Sequence, residues 1–417
     1  MTPTLFSTVF LAALFLSTGL RLWLGSRHMR HIIAHRPAVP DDFAGSIALA
    51  DHQKAADYTV ARVRAGLLAL LIDALLLLVL TLGGGIDAIN SGLHQHIDNS
   101  YLQGIALFAC VGIIGFLVEL PISLFRTFRI EAKFGFNKMT GALWLADLAK
   151  QTALTALIGA PLLFVALWVM SAMGKYWWLY SWGLWLGFNL LVLLLYPTFI
   201  APLFNKFSPL EDNALKARIE ALLQRCGFSV SGLFVMDGSK RSGHGNAYFT
   251  GFGRAKRIVF FDTLLAKLSP LEVESVLAHE LGHFHHRHVL KRIVLMGLMS
   301  LGFLWGLGQL IDQPWFYAGL GITKVDAGTT ALGLLLFSQV LPVFMFPLTP
   351  LSAWLSRKNE YEADAYAAKQ TAASDLISAL VKLYRDNAAT LTPDPLHSLF
   401  YDSHPPARLR IANLRTL

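Results

Sequence analysis

Five consecutive residues, His279-Glu280-Leu281-Gly282-His283, carry the side chains best suited to chemistry in this chain of 417 residues. On a helix, positions four apart project from one face, so two imidazoles can bind one metal ion while the intervening carboxylate reaches its open coordination position. Zn2+ is the ion such a pair serves, because with three protein ligands it retains a water whose pKa falls toward about 7. Glu280 would take that proton and later pass it to a departing amine, which is the chemistry of peptide-bond hydrolysis. Three fixed positions arise by chance often enough that the setting of the motif must be weighed as well.

That setting is a helix. Ser269 is placed as its N-cap, Pro270 suits the first helical position, and Glu272 lies three residues past the cap as in a capping box. Leu271, Val273, Val276 and Leu277 supply an apolar face beside the histidines. His285, His286 and His288 are rival ligands. His286 lies seven residues beyond His279, roughly 10 Å along a helix axis, too far to close a tetrahedron with both motif histidines. The three are therefore read as residues at a membrane interface. A third ligand must come from elsewhere, and 357–364 (RKNEYEAD) offers three carboxylates. Glu360 and Asp364 are four apart and share a helix face, so that one binds the metal while the other accepts a hydrogen bond from the far nitrogen of a ligand histidine. Ala363, Ala365, Ala367 and Ala368 favour that helix, on which Glu362 is turned about 200° from Glu360.

The elements that must position these residues are mostly hydrocarbon. Hydrophobic residues make up 54% of the chain and charged ones 15%, with a mean hydropathy of +0.50, whereas a soluble chain carries about 25% charged residues. Seven stretches are long enough to cross a bilayer: 3–24, 63–86, 101–125, 152–173, 177–201, 289–311 and 327–355. The first lacks a charged leading region and ends in Arg21, Arg27 and Arg30, so it is expected to stay as an anchor. Arg126, Arg129, Lys133, Lys138 and Lys150 crowd 126–150, while 87–100 has neither Lys nor Arg. Positive-inside counting then predicts an external N-terminus, with 25–62, 126–151, 202–288 and 356–417 cytoplasmic. The net charge of +8 sits beside the spans, which points to anionic membrane lipid rather than nucleic acid as its partner. Cys110 and Cys226 fall in different environments and have no metal-site spacing, so neither a disulfide nor a cysteine metal site is expected. Asp73, Glu119, Asn189 and Gln339 lie within spans, where a wet cavity or helix-to-helix hydrogen bonds would accommodate them. Between the fifth and sixth spans, 214–226 has helical periodicity, 232–236 and 257–261 read as strands, and 238–245 as a turn.

Six separated stretches resemble the CAAX prenyl protease 1 family of membrane zinc endopeptidases: 131–139 (EAKFGFNKM), 202–210 (PLFNKFSPL), 238–251 (GSKRSGHGNAYFTG), 278–283, 356–364 and His404-Pro405. The resemblance implies an all-α integral membrane protein, seven membrane helices forming a barrel around a water-filled chamber, with a cytoplasmic zinc-protease domain. The strands add a small β-sheet to that domain. The resemblance implies one Zn2+ per chain on His279, His283 and Glu360, with Glu280 as base. It also implies Asn246 as a contact to the substrate backbone, and His404 and Arg408 as residues near the reacting carbonyl. From the residues alone, Asn246 follows a Gly-rich turn and could precede an edge strand onto which an extended peptide adds.

The chain divides into 1–201 (five spans with their loops), 202–288 (catalytic region with the motif helix), 289–355 (two spans) and 356–417 (a helical region completing the site). The expected activity is hydrolysis of peptide bonds near the C-terminus of prenylated CAAX-type or other membrane-associated polypeptides, in a bacterial inner membrane or the endoplasmic reticulum. The rival enzyme is a quality-control protease like the heat-shock zinc proteases, which are shorter and have fewer spans. A non-catalytic scaffold or transporter with structural zinc would have no use for a carboxylate at Glu280.

Overall fold

The structure, a computed structural model, describes residues 1–250, 256–323 and 330–417. Among these residues seven helices are long and apolar enough to cross a membrane: Pro3–His35, Leu49–Leu80, Ser100–Glu131, Gly141–Ala172, Gly174–Leu203, His288–Leu310 and Thr330–Gln370. Each contains most of one expected stretch and runs past it, because polar residues at the ends continue the helix beyond its apolar window. Residues 327–329 of the seventh expected span, and Gly251 of the third resembling stretch, lie outside the described residues. Local signals start these helices. The Thr2 hydroxyl accepts from the Leu5 amide, and the Asn99 side chain accepts from the amides of Tyr101 and Leu102.

Each span packs on the next in chain order, and the seventh returns to the first. Closure at one end is by Phe6, Phe10, Leu80, Leu107, Phe316, Tyr317, Leu336 and Val340, which form one buried cluster. The first six spans have at most 17% of their most apolar window buried. Helices in a close-packed bundle would bury their inward faces, so this ring is a wall around open space. One cavity of about 710 Å3 lies between the third, fourth and fifth spans, lined by Glu119, Trp144, Asp147, Tyr196 and Arg241 among others. Glu119 thus faces that cavity, whereas the Asn189 amide donates to the Trp185 carbonyl within its own helix.

Beyond the ring lies a four-stranded mixed sheet of β1 (Phe207–Pro209), β2 (Gly232–Met236), β3 (Ala247–Thr250) and β4 (Arg257–Phe261), in the order β1-β2-β4-β3. β2 and β4 are parallel, with Leu233 opposite Ile258, and β3 is antiparallel to β4, with Tyr248 opposite Val259. The 238–245 turn and β3 form the crossover that parallel pairing requires. The sheet, the helix Asn213–Arg225, the motif helix Pro270–His285 and the helices Thr349–Gln370 and Ala373–Asp386 share one core. Ile219, Leu222, Phe260, Leu277, Leu281, Ala367 and Ala379 lie at its centre. The last part of the seventh span and the helix after it therefore pack directly on the motif helix.

Candidate metal centre

The motif helix begins where its sequence says it should. Ser269 Oγ accepts from the Glu272 amide and Glu272 Oε2 accepts from the Ser269 amide at 2.7 Å, a complete capping box behind Pro270. The same carboxylate accepts from Lys382 Nζ at 2.7 Å and Ser378 Oγ at 2.6 Å, fastening the helix start to Ala373–Asp386. Burial pushes the Glu272 pKa up, but these donors win and hold it below its ordinary value.

The helix Thr349–Gln370 continues the seventh span and brings the third ligand. At Gly282 an added Cβ would lie 2.8 Å from Ala363 Cα, so only glycine lets the two helices approach this closely. That approach turns Glu360 toward both histidines. His279 Nε2 and His283 Nε2 are 3.2 Å apart; Glu360 Oε2 lies 3.4 Å from the first and Glu360 Oε1 3.4 Å from the second. The edge of a tetrahedron with metal–ligand bonds near 2.0–2.1 Å is about 3.3 Å; each of these separations is close to it, and one ligand atom from each residue lies within 4.8 Å of the others, so the two imidazoles and the carboxylate fit a zinc ion. Glu360 Oε2 is also buried without a hydrogen-bond partner, among the side chains described, a cost that a cation would remove. Asp364, fully buried, lies 2.8 Å from His279 Nδ1. With the proton of His279 on Nδ1, Asp364 accepts its hydrogen bond and Nε2 is left free to coordinate.

Glu280 is half-buried and makes no hydrogen bond or ion pair among the described residues. His404 arrives from the loop between Pro395–Tyr401 and Ala407–Leu414, its Nε2 3.4 Å from Glu360 Oε1 and 60% of its side chain accessible. Desolvation by the surrounding walls lowers its pKa. Glu360 pulls the other way, while Arg410, His279 and His283 add to the lowering. Asn246 is exposed immediately before β3, its carbonyl accepting from the Phe261 amide at 2.9 Å. β3 is an edge of the sheet, and it leans on the motif helix through Phe249 and Phe284, with ring centres 4.9 Å apart.

Arg408 is not brought to the centre. It is 71% exposed and pairs with Asp42 at 2.8 Å. Arg410, two residues on and turned to the opposite face of the same short helix, is the buried arginine. Its Nε and Nη2 donate to Asp364 at 2.6 and 2.7 Å, and Nη2 lies 3.1 Å from His279 Nδ1. Nothing in the composition of 407–414 separates the two; only the register of a helix could. His288, read as an interface residue, opens the sixth span and makes a further contact. The motif helix stops at His285, Arg287 takes the left-handed conformation at φ 55°, and the chain doubles back so that buried His288 meets His283, Nδ1 to Nδ1, at 2.9 Å. Distances counted along a single helix do not apply across that turn.

Known proteins share this arrangement. Residues 28–206 match the family described as CAAX prenyl protease N-terminal, five membrane helices, and residues 209–417 match Peptidase family M48. The CAAX prenyl protease 1 of Saccharomyces cerevisiae is 35% identical over 332 residues, 76% of this chain and 73% of the yeast protein. The homolog from Homo sapiens is 34% identical over 357 residues, covering 76% and 74% of the two chains. A crystal structure of S. mikatae Ste24p superposes with a TM-score of 0.92 at 30% identity, over 98% of this chain and 99% of that one. The ring of spans, the sheet and the helices bearing the ligands are thus common to both, and the chain belongs to peptidase family M48, as a multi-pass membrane metallopeptidase homologous to CAAX prenyl protease 1.

Proposed function

We propose that the chain is a zinc endopeptidase that cleaves near the C-terminus of prenylated CAAX-type polypeptides. The observation carrying this reading is the convergence of His279, His283 and Glu360 to 3.2–3.4 Å, with an unengaged Glu280 on the same helix. Zn2+ held there would lower the pKa of a water toward about 7 and polarise the scissile carbonyl. Glu280 removes the water's proton and returns it to the departing amine. His404 donates its N–H to the carbonyl oxygen as negative charge develops. Asn246 and the open edge of β3 hold the substrate backbone extended across the site. Arg410 neutralises Asp364 and keeps it against His279.

The relatives are named for prenylated substrates, and the cavity between the spans offers an apolar wall of Phe116, Leu120 and Leu148 beside polar groups. Cleavage of a farnesylated CAAX peptide beside its unlipidated twin, each with and without a chelator, tests the reading. The lipidated peptide is expected to be cleaved faster, and chelator to abolish both reactions. Equal rates would leave a membrane protease of quality-control type, without prenyl specificity.

A further inference from the structure

We propose that His288 and Glu362 form a relay that sets the tautomer and orientation of His283, making both positioning residues for the metal centre. This rests on the zinc reading above. His283 turns Nε2 toward His279 and Glu360, so for coordination the lone pair must be on Nε2 and the proton on Nδ1. That Nδ1 is 2.9 Å from His288 Nδ1. A single proton fits between two ring nitrogens at that distance, and His283 must supply it. His288 Nδ1 is then the acceptor, which puts the His288 proton on Nε2. There it meets Glu362 Oε2 at 3.0 Å.

Each step agrees with the next. An ionised carboxylate only accepts, so Glu362 determines the direction of the whole chain, and the opposite assignment would aim an N–H at the metal. His288 is 5% exposed, and the turn at Arg287 fixes its ring beside the motif helix. The two ligand histidines are therefore oriented alike: Asp364 accepts directly from His279, and Glu362 accepts from His283 through one intervening imidazole. Both carboxylates belong to the helix that supplies Glu360. Glu362 does face away from Glu360, yet it is not a bystander.

The test uses the purified full-length protein and reads metal binding rather than turnover. His288→Leu and His288→Asn have nearly the same shape, but only Asn places an acceptor oxygen near the position of Nδ1. Zinc affinity is measured by competition with a chromophoric chelator, and ligand geometry by the visible absorption of the Co2+-loaded protein. His288→Leu is expected to weaken zinc by roughly 10–100-fold and to shift the cobalt bands, while His288→Asn recovers most of the affinity. Glu362→Leu, at a partly exposed position, is expected to weaken zinc and move the bands in the same direction. Wild-type affinity and spectrum in His288→Leu, or equal impairment of Leu and Asn, would overturn the relay. Failure of the unmodified protein to bind zinc would instead overturn the zinc reading itself.

Discussion

Glu280 stands apart from the other acids of the centre because no neighbour holds its carboxylate. Asp364 and Glu362 each accept from a fixed partner, and Glu360 lies against both motif histidines. A proton shuttle must exchange partners within each turnover, so this freedom suits a base and would be wasted on a ligand. Glu280→Gln is expected to keep its metal and its fold while losing roughly 10²–10⁴-fold in turnover. Zinc content and rate measured on one preparation check this, and near-normal turnover would remove Glu280 from the mechanism. The two arginines offer a sharper contrast. Arg408→Ala breaks an exposed pair worth about 0–1 kcal/mol, so little change in melting temperature or zinc affinity is expected. Arg410→Ala leaves Asp364 ionised, buried and without its cation, a loss of about 3–5 kcal/mol in comparable buried pairs. If thermal unfolding shows the larger loss for Arg408, the placement of this helix is wrong.

Between elements, the centre depends on how closely the motif helix approaches Thr349–Gln370. Glycine at 282 is what allows it, with Ala363 Cα 2.8 Å and Tyr366 Cβ 3.1 Å from where a methyl group would sit. Backbone cannot move aside as a flexible side chain does. Gly282→Ala is expected to force the helices apart, costing about 1–3 kcal/mol in overpacking and weakening zinc at least tenfold as Glu360 withdraws. Chelator competition reads the second effect, and unchanged affinity would mean that the helices separate without moving the ligand. The edge position of β3 is another property of elements rather than residues. Tyr248 and Phe249 suit a strand, but only the pairing of β3 with β4 alone makes it an edge among the described residues.

At the scale of the molecule, an odd number of spans puts the two termini on opposite sides of the membrane. The Lys and Arg excess in 126–150, against none in 87–100, favours a C-terminus and a metal centre in the cytoplasm. Cysteines introduced singly at Gln95 and at Leu417, which is 60% exposed, in a protein whose Cys110 and Cys226 have been replaced, should react with an impermeant reagent from opposite faces. Labelling of both from one face would show that one of the seven helices does not cross. The ring closes by contact of the seventh span with the first, and that span then runs on into the helix of Glu360.

Local order was legible in the residues themselves. The spans, the Ser269–Glu272 capping box, the β2 and β4 strands and the four-residue spacings of His279 with His283 and of Glu360 with Asp364 all follow from periodicity and short-range hydrogen bonding. Such features depend on neighbours a few positions away, so a sequence records them directly. Which arginine of 407–414 is buried was decided only by how that helix docks, since Arg408 and Arg410 are chemically identical. His288 depended on one left-handed residue, Arg287, whose conformation nothing in the flanking sequence announces. The pairing of His288 with Glu362, 74 residues apart, and the nearness of Arg410 to His279, 131 residues apart, arise when separate helices meet in one core. The sequence by itself therefore determined the elements and the spacing of the candidate ligands, while tertiary packing decided which other side chains meet them, because long-range contacts have no period along the chain.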